Sequence, residues 1–285
     1  MAVSRNKPSS DLPGRLAAFL AARVPSAQSL CVGLSGGRDS VVLTHALVTA
    51  GFKDRVSALH VHHGLSPYAE QWAVHCRSLC LDLGIPLQIE RVQVGSDAGF
   101  GLEAAAREAR YAAFARSAAD CMLLAHHQDD QGETVLFNLL RGCGLAGARG
   151  MRSERQAGKK RILRPFLDTP AGEIAAYAQV NGLRWIEDES NADTGFSRNF
   201  LRHQVMQPLA ARFPAAPAQL AKAASHFAEA ELLLGDLANI DWAACAEGQA
   251  LRLPALRQLS AMRIRNLLRW RLQQLTWCTP AAARI

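Results

Sequence analysis

No run of this 285-residue sequence is apolar enough to cross a bilayer. The most apolar stretches, around Met122–Ala125 and Leu232–Leu234, fall far short of the roughly 20 residues a spanning helix needs. The first 24 residues lack a continuous apolar centre followed by small residues, so no secretory signal is expected and an amphipathic opening helix is the better reading. Seven cysteines, at 31, 76, 80, 121, 143, 245 and 278, form no CxxC pair and mostly sit inside apolar runs. That argues against a disulfide framework and for a reduced, cytoplasmic setting. No internal repeat or biased tract interrupts a composition that is 49% hydrophobic and 20% charged, values of a globular chain long enough for two domains. Nothing in it fixes an oligomeric state.

Acidic residues are scarce where basic ones gather. The net charge is +7, and from Arg141 to Arg164 eight basic residues face a single acid, Glu154. Beyond Glu247 there is no acid at all, while Arg252, Arg257, Arg263, Arg265, Arg269, Arg271 and Arg284 follow. One such run can be a solvated face; two in one chain point toward RNA or DNA.

Short apolar runs alternate with helical patterns through the first two thirds. Strands are expected near Leu30–Leu34, Val56–Val61, Leu87–Val92 and Met122–Ala125, with helices near Asp39–Thr49, Pro67–Asp82, Leu102–Ser117 and Asp129–Leu140. Ser66 and Pro67 read as an N-cap and first helical residue, with Gly84 closing that helix. The alternation predicts an α/β fold, a parallel sheet with helices on both faces, in which ligands gather at the carboxyl ends of the strands. After Pro165 the pattern loosens into a helix near Gly172–Val180, a polar loop over 187–199 and a helix opening near Arg198. Ala- and Leu-rich segments at Ala215–Leu237 and Met262–Leu275 predict a smaller all-α domain, placing the boundaries at 1–213 and 214–285.

Three polar clusters fall where such a sheet binds ligands: "SGGRDS" (Ser35–Ser40) after the first strand, "HVHHG" after the second and "AHHQDDQGET" after the fourth. The first lacks the lysine and spacing of the common phosphate-binding loop and is not GxGxxG. Gly36 and Gly37 let backbone approach a phosphate, Ser35 and Ser40 offer hydroxyls, and the following helix adds its positive end. Asp39 would repel phosphate unless Mg2+ lay between them. The plainer alternative is a Gly-Gly turn with a Ser/Asp cap.

The loop resembles the SGGxDS signature of the N-type ATP pyrophosphatase (PP-loop) superfamily. Further matches resemble one of its families, tRNA(Ile)-lysidine synthase: "HVHHGL" at His60–Leu65, "LEAAAREARYAAF" at Leu102–Phe114, "AHHQDDQGETVLFNLLRGCGLAGARGM" at Ala125–Met151, "RPFL" at Arg164–Leu167 and "WIEDESNADTGFSRNFLR" at Trp185–Arg202. The resemblance runs from about Leu30 to Leu209 and implies a Rossmann-like PP-loop ATPase domain. It also implies that ATP adenylates the C2 oxygen of the wobble cytidine in the isoleucine tRNA bearing a CAU anticodon, after which the L-lysine ε-amine displaces AMP. On the matching positions, Ser35, Gly36, Gly37, Arg38, Asp39, Ser40 and His60 would bind ATP, and Asp39 and Asp130 would hold Mg2+. Arg107 would face the adenylate or substrate, Asp130 or Glu133 would hold the lysine ammonium and take its proton, and Arg198 and Arg202 would reach the tRNA or the activated cytidine.

Bland alternatives stand beside these roles. Arg107 and Glu103 are four apart on a helix and could be a surface ion pair; Asp129–Asp130 could be a helix N-terminal acid pair. His60, His62, His63, His126 and His127 show no zinc-site spacing and are expected to line the nucleotide pocket. A PP-loop tRNA thiolase would need paired reactive cysteines, where the closest spacing here is Cys76 and Cys80; a non-catalytic nucleotide-sensing RNA-binding module is the third reading. Where the family usually carries an Arg ahead of the acid after "RPFL", this chain has Ala171 and Gly172 before Glu173. Longer family members carry a further C-terminal domain, so a truncated second domain is expected. On the last helix, Ile264, Leu267, Leu268, Leu272 and Leu275 are expected to face the core, Arg265 and Arg269 to share a solvent flank, and Arg271 to snorkel outward.

Overall fold

The computed structural model describes residues 11–94, 102–187 and 197–275, the side chains of 102–104 excepted. Glu103, Cys278, Arg284 and most of the polar loop after Trp185 therefore lie outside the described residues. The chain divides into two compact units, Met1–Gln131 with Arg152–Pro214, and Gly132–Met151 with Ala215–Ile285. A single cut after residue 213 misses that the segment 132–151 groups with the second unit.

In the first unit α1 (Leu12–Ala21) precedes β1 (Leu30–Gly33), α2 (Arg38–Leu47), β2 (Val56–His62), α3 (Ala69–Leu83), β3 (Leu87–Arg91), α4 (Leu102–Arg116) and β4 (Cys121–Leu123). After α5 (Gln128–Leu140) and α6 (Leu145–Ala148) come β5 (Glu154–Ala157), β6 (Lys160–Leu163), α7 (Ala171–Val180), α8 (Ser197–Phe200) and α9 (Gln207–Arg212). The six strands lie in the order β3-β2-β1-β4-β6-β5, all neighbours parallel except the β5–β6 hairpin. Alternation along β1 shows why the strand reads as continuously apolar: Leu30 and Val32 pack into one core with Leu16, Val41 and Cys76, while Cys31 faces the other with Leu59, Phe114 and Ile162. Both faces are covered, as a parallel sheet requires.

Two expectations need correction. The third helix begins at Ala69, not Pro67; the Ser66 hydroxyl instead accepts from the Tyr68 N–H at 3.1 Å in a turn before it. Gly84 does close it, in left-handed conformation. The β5–β6 hairpin went unread because its residues are mostly charged and lie inside the basic run; β5 is an edge strand, where polarity discourages further pairing.

In the second unit the 30-residue α10 (Ala216–Cys245) is followed by a two-residue hairpin, β7 (Ala246–Glu247) and β8 (Ala250–Leu251), then α11 (Leu253–Leu256) and α12 (Ala261–Gln274). Ser260 caps α12 by accepting from the Arg263 N–H. The helix is turned relative to the expected stripe: Leu267 is buried, but Leu268 and Leu275 are exposed. The cause is Asp241, fully buried on α10, which accepts from the Arg263 Nε at 3.2 Å and draws that side of α12 inward. Arg271 does not snorkel; its guanidinium lies over the Trp242 ring, 4.4 Å from its centre.

Candidate active site

The loop after β1 is held from behind. Gly36 has φ +91°, and a β-carbon there would stand 3.2 Å from Ile186 Cδ1 and 3.4 Å from Cys76 Sγ. Its carbonyl accepts from the Ile186 N–H at 3.0 Å. Gly37 has ordinary extended backbone, φ −72°, so the conformational demand falls on Gly36 alone. The Ser40 hydroxyl donates to the Gly37 carbonyl at 2.9 Å and lies 3.0 Å from the Ser35 hydroxyl, which accepts from the Gly37 N–H. Both hydroxyls bond within the loop, and Ser35 is exposed while Ser40 is buried. What faces outward is the first turn of α2, where no side chain caps the free N–H groups. An uncapped helix start is a phosphate seat.

His60 reaches the loop from its buried side. It is 3% exposed, and its Nδ1 donates to the Leu34 carbonyl at 2.8 Å, fixing the residue just before Ser35. Cys76 Sγ lies 3.5 Å from the same nitrogen; burial pushes this thiol up to about 12 and the Cys80 thiol up to about 11, so both are packing groups.

Beside the loop stands an acid centre around His127. Its Nε2 is 3.5 Å from Asp39 Oδ2 and 3.5 Å from Asp130 Oδ2. Burial opposes charge on this imidazole, but the hydrogen bond to Asp39 and the charges of Asp130, Asp39 and Asp129 outweigh it and raise its pKa. Burial likewise opposes ionisation of Asp39; His127 and Arg38 overcome it and lower its pKa. Arg38 does so by donating Nε to Asp39 Oδ1 at 2.9 Å. Asp130 accepts from the His127 N–H at 3.0 Å and from Arg202 Nη2 at 2.9 Å. Arg202 lies in a π-helical stretch, Leu201–Met206, a form of helix often found at functional sites. Asp129 Oδ1 stands 4.0 Å from His127 Nδ1 and also accepts from the Ala171 N–H at 3.1 Å.

Asp39 and Asp130 are hard oxygen donors of the kind that holds Mg2+. Among the described residues no group of three or more His, Cys, Asp or Glu is arranged for a metal. Mg2+ is commonly bound by one or two carboxylates together with substrate phosphates.

The structure thus brings together Ser35 to Ser40, His60, Asp39, Asp130 and Arg202. Arg107 and Arg198 act on His126, whose pKa falls to about 3 through burial and the charges of Arg164, Arg107, Arg110 and Arg198. Glu133, one turn beyond Asp130 along α5, falls in the second unit. His127, expected with the other histidines to line the nucleotide pocket, lies between Asp39 and Asp130, a pairing signalled by its place two and three residues ahead of an acid pair. Glu173, whose preceding residues depart from the family pattern, pairs with Arg15 at 2.6 Å.

The model of the PP-loop domain matches residues 9–209. The chain belongs to the PP-loop family. It is 48% identical over 269 residues to a tRNA(Ile)-lysidine synthase of Aromatoleum aromaticum, covering 94% of this chain and 63% of that protein. The synthase of Pseudomonas aeruginosa is 47% identical over 262 residues, covering 86% and 59%. The PP-loop chain thus spans about three fifths of the length of these curated relatives. Among solved structures, a U34-tRNA thiolase of Methanococcus maripaludis superposes with a TM-score of 0.63 at 16% identity, over 77% of this chain and 79% of that one, which shows a shared fold.

Proposed function

We propose that this PP-loop protein ligates L-lysine to C2 of the wobble cytidine in the isoleucine tRNA with a CAU anticodon, consuming ATP and releasing AMP and diphosphate, in the cytoplasm. The observation that carries the reading is the phosphate-seating loop set against the Asp39–His127–Asp130 centre. Support comes from near-complete alignment of the chain with relatives named tRNA(Ile)-lysidine synthase.

In this reading the uncapped start of α2 receives the ATP phosphates while the cytidine C2 oxygen attacks the α-phosphate and diphosphate leaves. Asp39 and Asp130 would hold Mg2+, which supplies neutralisation of charge developing on the phosphates. The lysine amine has a reference pKa of about 10.4 and must shed a proton before attacking C2, from which AMP departs with the oxygen. Asp130, or Glu133 from the second unit, would hold the ammonium and accept that proton. Arg202 fixes Asp130, and Arg107 and Arg198 would present positive charge to the cytidylate.

The test is diphosphate release from ATP and this tRNA, with and without lysine, by the parent and by Asp39→Asn. The parent should release diphosphate and the variant, still folded, should not. Equal turnover by the variant would remove the metal role from Asp39.

A further inference from the structure

Three guanidinium groups converge on one phenol. Arg107 and Arg155 lie against the Tyr111 ring, their guanidinium carbons 5.0 and 4.7 Å from its centre. The phenol oxygen accepts long bonds from Arg107 Nη2 at 3.4 Å and Arg164 Nη2 at 3.5 Å. Arg164 is 3% exposed, and the Nε atoms of both Arg155 and Arg164 are buried without a hydrogen-bond partner. Among the described residues no carboxylate pairs with any of the three; Glu154, next to Arg155, is taken by Arg161 at 2.9 Å. Gathering like charges with orphaned donors is costly unless an anion completes the set.

The backbone puts this cluster at the ligand-binding edge of the sheet. Arg164 directly follows β6, and Arg155 pairs in register with Ile162 near the end of that strand. In sheet order β6 is two strands and β5 three strands from β1, so these strands run about 10 and 14 Å from β1. Tyr111 and Arg155 also border an open recess of about 370 Å3 that runs from the cluster toward the β5–β6 turn at Gly158.

We infer that Arg107, Arg155 and Arg164, gathered on Tyr111, form a second phosphate site, separate from the SGGRDS loop. Planar guanidinium forks match phosphate oxygens. The phosphate comes either from the backbone of a bound RNA or from released diphosphate; the RNA source rests on the function proposed above.

Arg155→Gln, on the half-exposed edge strand, and Arg164→Lys, which keeps the charge but loses the fork, are the test variants. Affinity for a CAU anticodon stem-loop is measured across a salt series, and affinity for inorganic diphosphate by calorimetry, with ATP binding as the check on folding. Arg155→Gln should weaken RNA binding about 5-fold and make the salt slope shallower by about one. Arg164→Lys should weaken it while leaving the slope in place. Weakened diphosphate binding with RNA binding intact would assign the site to diphosphate. Parental affinity for both probes in Arg155→Gln would overturn the inference. Absence of lysidine while RNA binding still responds to Arg155→Gln would sink the proposed function and leave the site standing.

Discussion

Gly36 and Gly37 are adjacent and chemically identical, yet they carry different duties. Gly36 holds positive φ with Ile186 and Cys76 close to where a β-carbon would sit, so Gly36→Ala should destabilise the fold by about 1–2 kcal/mol, read as a lower unfolding midpoint. Gly37 has extended backbone and ordinary contacts, so Gly37→Ala should melt like the parent and yet lose ATP affinity by calorimetry. Parental ATP affinity in Gly37→Ala would mean phosphate does not approach there. The sequence told that a Gly-Gly turn follows a strand; it could not tell which glycine bends, because that depends on Ile186, 150 residues away. His126 makes the same point for charge. Burial, and then the surrounding arginines, hold it at about 3, and burial, Arg110 and its histidine neighbours hold His63 at about 4, against 6.5 for a free imidazole. Below pH 6.5 the unfolded chain therefore binds protons that the folded one refuses, so stability falls with falling pH across that window. His126→Gln should flatten the fall in unfolding free energy, read by urea titration, between pH 7 and pH 5, by at most about 1.4 kcal/mol per pH unit. Parallel profiles would place His126 in an ordinary solvated setting.

Elements with strong apolar periodicity were legible, and those governed by a single buried polar group were not. The strands β1, β2 and β4 announced themselves as apolar runs because both faces of the sheet are covered. Helix α12 was legible as a helix but not in its facing, since a count of leucines cannot foresee Asp241 reaching Arg263. Arg263→Ala should lower the melting temperature more than Arg263→Ala combined with Asp241→Asn, because the single change strands a buried carboxylate. Equal losses would show that Asp241 finds another partner. Arg265 is exposed and Arg269 half-buried on the same helix, which has no acid in its sequence. Replacing both by Ala should weaken tRNA binding and make its salt slope shallower by about two, with ATP binding unchanged. An unchanged slope would leave them as solvated surface.

Across the whole molecule, chemistry is legible because a parallel sheet collects the carboxyl ends of its strands at one edge. "SGGRDS", "HVHHG" and "AHHQDD" are far apart in sequence and meet there through β1, β2 and β4. What the motifs could not show is how the unit boundary runs through α5, which gives Asp130 to the first unit and Glu133 to the second. The central claim is that this assembly joins lysine to a cytidine. It is tested by incubating the chain with ATP, Mg2+, lysine and the CAU-anticodon isoleucine tRNA, digesting the RNA and weighing its nucleosides. The account predicts one cytidine heavier by lysine less water, formed only when lysine and ATP are both present and absent with Asp39→Asn. An unmodified cytidine in the complete reaction, with the chain folded and ATP bound, would contradict it.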